Sequence, residues 1–148
     1  STDDIVASDN ITAGGNFLGN NMGPYSNTHI PMMPSDFSVG DSIGKGGVMA
    51  GTSIKTSGIG VALYASYMIP HGKSVRSARI YGDAGVTITV IESSIENDTE
   101  STKLVGSAPG DGDASCVSSA GNGLLYVTVK INFSTTSVEF HGGKLTLV

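Results

Sequence analysis

The chain has 148 residues, 39% of them hydrophobic and 14% charged, and a formal net charge of −5 at pH 7. A sequence of this length folds as one ordinary domain, which buries about 70% of the surface that the unfolded chain exposes. Lys and Arg together number 8 and are scattered, so we expect no nucleic-acid partner, because phosphate binding needs clustered cations. Apolar runs fall well short of the about 18 residues that a membrane span needs, so no membrane partner is expected either.

Residues 1–60 differ from the rest of the chain in composition and in hydrophobic pattern. Gly, Asn and Pro interrupt this region at short intervals, so no apolar period lasts long enough to form a helix. We predict an irregular arm together with the first strands, at residues 4–12 and 47–56. This region is expected to be packed on, or continuous with, a β-sandwich body at residues 61–148.

Regular alternation of apolar and polar residues predicts strands in the body. At residues 125–133 the odd positions are apolar and the even positions carry Tyr, Thr, Lys and Asn, the pattern of a strand with one buried face. Residues 86–92 alternate in the same way and are rich in β-branched side chains, which favour strands. Residues 93–123 are predicted to be mostly loop, with one short strand at 103–106.

Turn residues in the body predict two hairpins. Pro70-His71-Gly72 lies between the predicted strands at 61–69 and 73–81, and it supplies a fixed φ followed by a residue that tolerates positive φ. Gly142-Gly143 lies between predicted strands at 138–140 and 144–148, and a glycine pair suits the tight turns that match strand twist.

The spacing of these elements predicts the fold class. Short strands about 8–12 residues apart, separated by turns rich in Gly and Ser, are typical of sandwiches, jelly rolls and barrels. No helical window and no fixed-period repeat is visible. We therefore predict an all-β fold, an antiparallel β-sandwich with a jelly-roll-like arrangement, in a single domain with an irregular N-terminal arm.

No catalytic, cofactor or metal site is predicted. Gly44-Lys45-Gly46-Gly47 lacks the spacing, the Ser or Thr and the helix of a phosphate-binding loop. Asp111 and Asp113 offer only two local carboxylates, whereas Ca²⁺ takes about six to eight oxygen ligands. A single cysteine, Cys116, excludes a zinc site built from several cysteines. An acidic cluster is interpreted as the solvated end of a strand and its loop, and not as a paired-carboxylate site; it consists of Glu92, Glu96, Asp98 and Glu100. The three histidines, His29, His71 and His141, are placed in separate loops or turns and are not expected to bind a metal.

Aromatic residues are scarce, at 6% of the chain with no Trp. Sugar-binding and base-stacking sites depend on exposed aromatic planes, so this shortage weakens both a carbohydrate-binding module and a single-strand binder. Tyr64, Tyr67 and Tyr81 are interpreted as strand residues at the edge of the core.

The segment 17–37 is apolar but not periodic. One interpretation is a long ordered loop that covers one end of the sandwich. The other is an arm that lies on a neighbouring subunit, because Met and aromatic residues are enriched at interfaces and long structureless segments in compact domains usually have a function. On the second interpretation the predicted protein-interface residues are Phe17, Met22, Tyr25, Met32, Met33 and Phe37.

The C-terminal half resembles a known family. The motifs that carry the resemblance are Arg79-Ile80-Tyr81-Gly82, the strand at 86–92, a variable loop rich in Ser, Gly and Asp, the strand at 125–129, and the closing segment at 141–147. Together they resemble a β-sandwich domain of virion proteins from tailed bacteriophages, especially marine ones. The resemblance covers residues 61–148 and supplies no functional residues.

The resemblance implies a non-enzymatic structural role in the virion, after assembly in the host cytoplasm. The leading hypothesis is a capsid decoration (cement) protein that binds the outer capsid surface as an oligomer. Its expected partners are itself, as a homotrimer, and the major capsid protein or another virion protein. The alternative is a tail-fibre or receptor-binding module that recognises host-surface glycans. A hydrolase of host polysaccharide or peptidoglycan is a third hypothesis.

Overall fold

A computed structural model describes residues 28–40, 46–97, 99–108, 114–115 and 118–148. These residues form eleven strands and one 3₁₀-helix, Pro34–Asp36. In this part of the chain no helix has the length and apolar character needed to cross a membrane. The strands are β1 (His29–Met32), β2 (Ser38–Val39), β3 (Gly47–Ala50), β4 (Ser53–Thr56), β5 (Ala62–Met68), β6 (Val75–Gly82), β7 (Val86–Ser94), β8 (Thr99–Ser107), β9 (Ala114–Ser115), β10 (Leu125–Phe133) and β11 (Phe140–Leu147).

The strands form two antiparallel sheets. Sheet A has the order β3-β4-β11-β6-β9, with β1 also paired to β11, and sheet B has the order β2-β5-β10-β7-β8. Four strands of sheet A, in the order β4-β11-β6-β9, therefore face four strands of sheet B, in the order β5-β10-β7-β8. This is the strand order of a jelly roll. The predicted all-β antiparallel sandwich is confirmed.

The core lies between the two sheets and follows the alternation of the sequence. Along β10, Val127, Val129 and Ile131 are fully buried, and the side chains between them are partly exposed on the other face. The predicted strand at 125–133 coincides with β10, and the predicted strand at 86–92 lies within β7. Residues 99–107 form a nine-residue strand, β8, where only a short strand at 103–106 was expected.

The first predicted hairpin is wrong. Strand β5 pairs with β10 and β2 in sheet B, whereas β6 pairs with β11 and β9 in sheet A. The segment with Pro70-His71-Gly72 therefore carries the chain from one sheet to the other, although Gly72 does adopt the expected positive φ of 76°. Turn residues mark a reversal of the chain, and a hairpin and a crossing between sheets need the same reversal.

The second predicted hairpin is also wrong, because β11 is one continuous strand that contains Gly142 and Gly143. Gly142 has a φ of 127° and lies at a register shift against β6, which is the geometry of a bulge. A Cβ on Gly143 would collide with the backbone oxygen of Arg79 and lie 2.6 Å from Cε of Met32. This glycine therefore permits β6 and the Met32 side chain to approach β11 closely.

The first described segment, residues 28–40, contributes a strand to each sheet. Strand β1 pairs with β11 over four residues, and β2 pairs with β5. Met32 and Phe37 are 1% and 6% exposed, and the Phe37 ring packs edge-on against Phe140 with 5.0 Å between ring centroids. These two residues belong to the chain's own core, which corrects their assignment as anchors on a partner.

The other predicted interface residues have different positions. Met33 follows β1 and is 55% exposed. Phe17, Met22 and Tyr25 lie outside the described residues, as does the predicted strand at 4–12.

Candidate functional site

The outer face of sheet B carries a concentration of polar and aromatic side chains. We call it the polar face and define it by the polar and aromatic residues that point away from the core on three neighbouring strands. Ala62, Met68 and Ile91 share that face. Strand β10, at the centre of the sheet, has β5 on one side and β7 on the other. None of the defining side chains is buried, and they are Tyr64 and Ser66 of β5, Tyr126, Thr128, Lys130 and Asn132 of β10, and Thr87 and Thr89 of β7.

One row of the polar face is centred on Tyr64 and Lys130. These residues lie directly opposite each other, and Lys130 is in turn opposite Thr89. The Lys130 Nζ atom lies 6.0 Å from the centroid of the Tyr64 ring, at the outer limit of a cation–π contact. On the other side of Tyr64, a Cβ on Gly40 would lie 2.7 Å from the ring atom Cε2. The ring therefore rests against bare backbone, which restricts its orientation.

The next row of the polar face presents hydroxyl groups. Ser66 is opposite Thr128, and their Oγ and Oγ1 atoms lie 3.0 Å apart, within hydrogen-bonding distance. A hydroxyl can donate one hydrogen bond and accept two, so each group keeps hydrogen-bonding capacity for a ligand. Asn132, two residues along β10 from Lys130, adds a side-chain amide with both donors and an acceptor.

Tyr126 lies at the far end of the same face. It is opposite Met68 on β5 and Ser93 on β7. It is four positions from Lys130 along β10, a distance of about 13 Å. The two tyrosines therefore bracket the hydroxyl row and outline an elongated surface, which suits an extended ligand better than a compact one.

A recess lies beside Tyr126 at the end of β7 and β8, and its volume is about 70 Å³. Pockets for small molecules usually measure about 300–1,000 Å³. The recess therefore has room for water but not for a sugar ring. All but one of its lining residues are polar types, and they are Glu92, Ser93, Ser94, Thr99, Glu100, Ser101 and Leu125.

Glu92 on the edge of this recess has a structural role. It is 9% exposed, on the core-facing side of β7, and accepts hydrogen bonds from the backbone N–H and the Oγ of Ser119. Lys103 Nζ lies 3.4 Å from Glu92 Oε1. A bulge in β8 makes this pair, because Leu104 is opposite Val90 and Lys103 is the extra residue, turned toward β7. Glu92 is thus not the solvated carboxylate that was expected.

The glycine-rich stretch that was compared with a phosphate loop continues into a strand. The Gly46 N–H donates to Ser57 Oγ at 2.7 Å, and Gly47 begins β3. No helix follows, in agreement with the interpretation from the sequence. Gly44 and Lys45 lie outside the described residues, as do Asp111 and Asp113.

The three histidines lie on separate elements of the structure. Within the described ranges, no group of three or more His, Cys, Asp or Glu side chains is placed to hold a metal ion. His141 lies near one carboxylate, with its Nε2 atom 3.9 Å from Glu139 Oε2. His29 is exposed on β1, and His71 forms an isolated bridge with Gly121.

The three tyrosines predicted at the core edge have three different environments. Only Tyr67 is buried, and its hydroxyl donates to Asp36 Oδ2 at 2.9 Å. Tyr64 lies on the polar face, and Tyr81 is 48% exposed on the outer face of sheet A.

The sequence did contain a signal for the polar face. The even positions of β10 carry Tyr, Thr, Lys and Asn, all of which can form hydrogen bonds.

Comparisons with known proteins give a distant structural similarity. No protein-family model matches the sequence, and no curated protein matches it. The fold is similar to a solved structure of the carbohydrate-binding module TmCBM61 in complex with β-1,4-galactotriose. The identity is 16%, the match covers 78% of this chain and 88% of that chain, and the TM-score is 0.40. A likeness at this level carries no argument about the ligand of this chain, so the candidate site depends on its own geometry.

Proposed function

We propose that this protein is a non-enzymatic binding module that recognises an extended glycan on the polar face of sheet B. The observation that supports the proposal is the outward row of β10. Tyr126, Thr128, Lys130 and Asn132 follow one another on the central strand, and all four are partly exposed. Sugars present hydroxyl groups and apolar C–H faces together, and this row offers hydrogen-bonding groups beside an aromatic plane.

The chemistry of the polar face favours a glycan over other classes of ligand. Protein interfaces concentrate their binding free energy in buried aromatic and apolar anchors. Met68 on β5 and Val105 on the edge strand β8 are strongly exposed apolar residues of this sheet, and Met68 lies directly opposite Tyr126. The β10 row itself consists of side chains that can form hydrogen bonds. A nucleic acid would need several cations, whereas the defining residues of the polar face include only Lys130.

Capsid decoration keeps less support as a second proposal. It rested in part on the apolar segment 17–37 as an arm on a neighbouring subunit, and Met32 and Phe37 lie in the core of this chain. Met33 is an exposed residue that could still contact the major capsid protein or another copy in a homotrimer. The resemblance to phage virion proteins is equally compatible with a glycan-binding module on a tail or fibre, and that location is the one we propose.

A glycan array followed by calorimetric titration of the best ligand tests the proposal. We expect Tyr64→Ala and Tyr126→Ala each to weaken binding at least about tenfold, equivalent to about 1.4 kcal/mol. Ile59→Ala is the control, because it removes an apolar side chain that is 70% exposed in the loop between β4 and β5. Glycan binding that both tyrosine variants retain in full would refute the assignment to this face, and the absence of any array signal would refute the function.

A further inference from the structure

Two cations lie side by side on the opposite side of the sandwich. Arg79 of β6 and Lys144 of β11 are directly opposite each other in sheet A. The pairs on either side of them, Ala78 with Leu145 and Ile80 with Gly143, have the alternate parity and face the core. Arg79 and Lys144 therefore point outward, with Cβ atoms about 4.5–5.5 Å apart.

Nothing in the described part of the chain compensates this arrangement. Like charges directly opposite each other destabilise a pair of strands. The ion pairs found among the described residues join Lys103 to Glu92 and His141 to Glu139, so neither Arg79 nor Lys144 is neutralised there. The Arg79 Nε atom is buried and has no hydrogen-bond partner in that part of the chain. A buried donor without an acceptor is itself unfavourable, so neither the paired charges nor this N–H is compensated among the described residues.

The Arg79 side chain is held in place by its neighbour on the same strand. Tyr81 is two residues along β6 and so shares the outer face. The guanidinium carbon lies 5.6 Å from the centroid of the Tyr81 ring, a cation–π contact. On the other side of Lys144, β1 places the uncharged Pro31 directly opposite. Among the described residues, the two cations are thus flanked by a tyrosine and a proline and not by a carboxylate.

We infer that Arg79 and Lys144 bind one oxyanion group, a phosphate, sulfate or carboxylate, on the outer face of sheet A. The planar guanidinium group can donate two parallel hydrogen bonds to such a group, and the lysine adds a second charge. An anion placed between them removes the repulsion across the strands and satisfies donors of Arg79. The inference does not depend on the glycan proposal, because it concerns the other sheet.

Titration of the full chain with inorganic phosphate, followed by two-dimensional ¹H–¹⁵N NMR at constant ionic strength, tests this site. We expect saturable shifts at the amides of Ile80 and Leu145. Arg79→Gln and Lys144→Gln should each weaken phosphate binding at least about tenfold, and Arg79→Lys should weaken it because the fork of donors is lost. Lys73→Gln removes a partly exposed cation outside the strands and is the control that should bind phosphate normally.

Parallel titrations with sulfate and with glucuronate identify which oxyanion binds most tightly. The stability of the ligand-free protein gives an independent measurement. Removing one of two repelling cations should raise the thermal midpoint of Lys144→Gln, whereas a purely structural lysine would give a lower midpoint.

Three results would overturn the inference. The first is a non-saturable response, and the second is a loss of binding that is the same in Lys73→Gln as in Arg79→Gln. The third concerns Asp111 and Asp113, which precede β9 in the sequence. If the native chain binds no oxyanion but Asp111→Asn or Asp113→Asn does, the two cations serve the chain's own carboxylates.

Discussion

Met32 and Met33 are adjacent in the chain and differ in burial, since they are 1% and 55% exposed. Met32→Ala removes three heavy atoms from the core beneath β11. The space next to the Met32 Cε atom belongs to Gly143, which has no side chain to fill a cavity. We therefore expect the site to collapse poorly and the free energy of unfolding to fall by about 2–5 kcal/mol, toward the upper part of that range.

Met33→Ala is the matched control, with an expected change within about 0.5 kcal/mol. The measurement is urea unfolding of both variants, followed by far-ultraviolet circular dichroism and by tyrosine fluorescence, because the chain has no Trp. Equal stability of the two variants would refute the placement of Met32 in the core. A loss of oligomer in Met32→Ala with unchanged unfolding would restore its original assignment to a subunit interface.

Three further substitutions test the contacts that hold the sandwich together, each by urea unfolding. Glu92→Gln should lower the free energy of unfolding by about 1–3 kcal/mol, because a buried charged acceptor is lost. The control Glu100→Gln changes an exposed residue and should give no measurable change. A larger loss of stability in Glu100→Gln than in Glu92→Gln would contradict the role given to the buried carboxylate. Ser118→Ala leaves the buried Val75 N–H without its 2.7 Å acceptor, and a similar loss of about 1–3 kcal/mol is expected. Gly143→Ala forces backbone and side-chain shifts that destabilise by about 1–3 kcal/mol, and a neutral result would show that β6 and β11 are less closely packed than described.

Local alternation was sufficient to predict the strands that have one buried face. Strand β10 was predicted with its observed bounds, and β7 was predicted over seven of its nine residues. Strand β8 was mostly missed for the same physical reason. It is an edge strand whose side chains are largely exposed, so it has no apolar row to produce the pattern.

Pairing between strands was not predictable from local signals. Gly142-Gly143 has the composition of a tight turn, yet here it accommodates a bulge and a close approach by Met32 and by β6. Met32 itself is buried because β1 pairs with β11 at the other end of the sequence. Such contacts between distant segments leave no periodic signal near residue 32, so an irregular apolar segment can resemble an interface arm.

The candidate sites could likewise be predicted only where they depend on the local pattern and not on the pairing between strands. The polar row of β10 can be read from the sequence, since every second residue between 126 and 132 is able to form hydrogen bonds. Its neighbour Tyr64 joins that row only through the register of β5 against β10. Arg79 and Lys144 are 65 residues apart in sequence and become a pair only through the register of β11 against β6. The residue types were visible, but their juxtaposition required the fold.

The two proposed sites lie on opposite outer faces of one sandwich, whose sheets pack about 10 Å apart. Tyr126 on sheet B and Lys144 on sheet A therefore share neither a strand nor a surface. Substitutions more than about 7–10 Å apart without shared partners usually have additive effects. On these proposals the glycan and the oxyanion would occupy opposite faces without competition, so each site can be removed while the other still reports that the chain is folded.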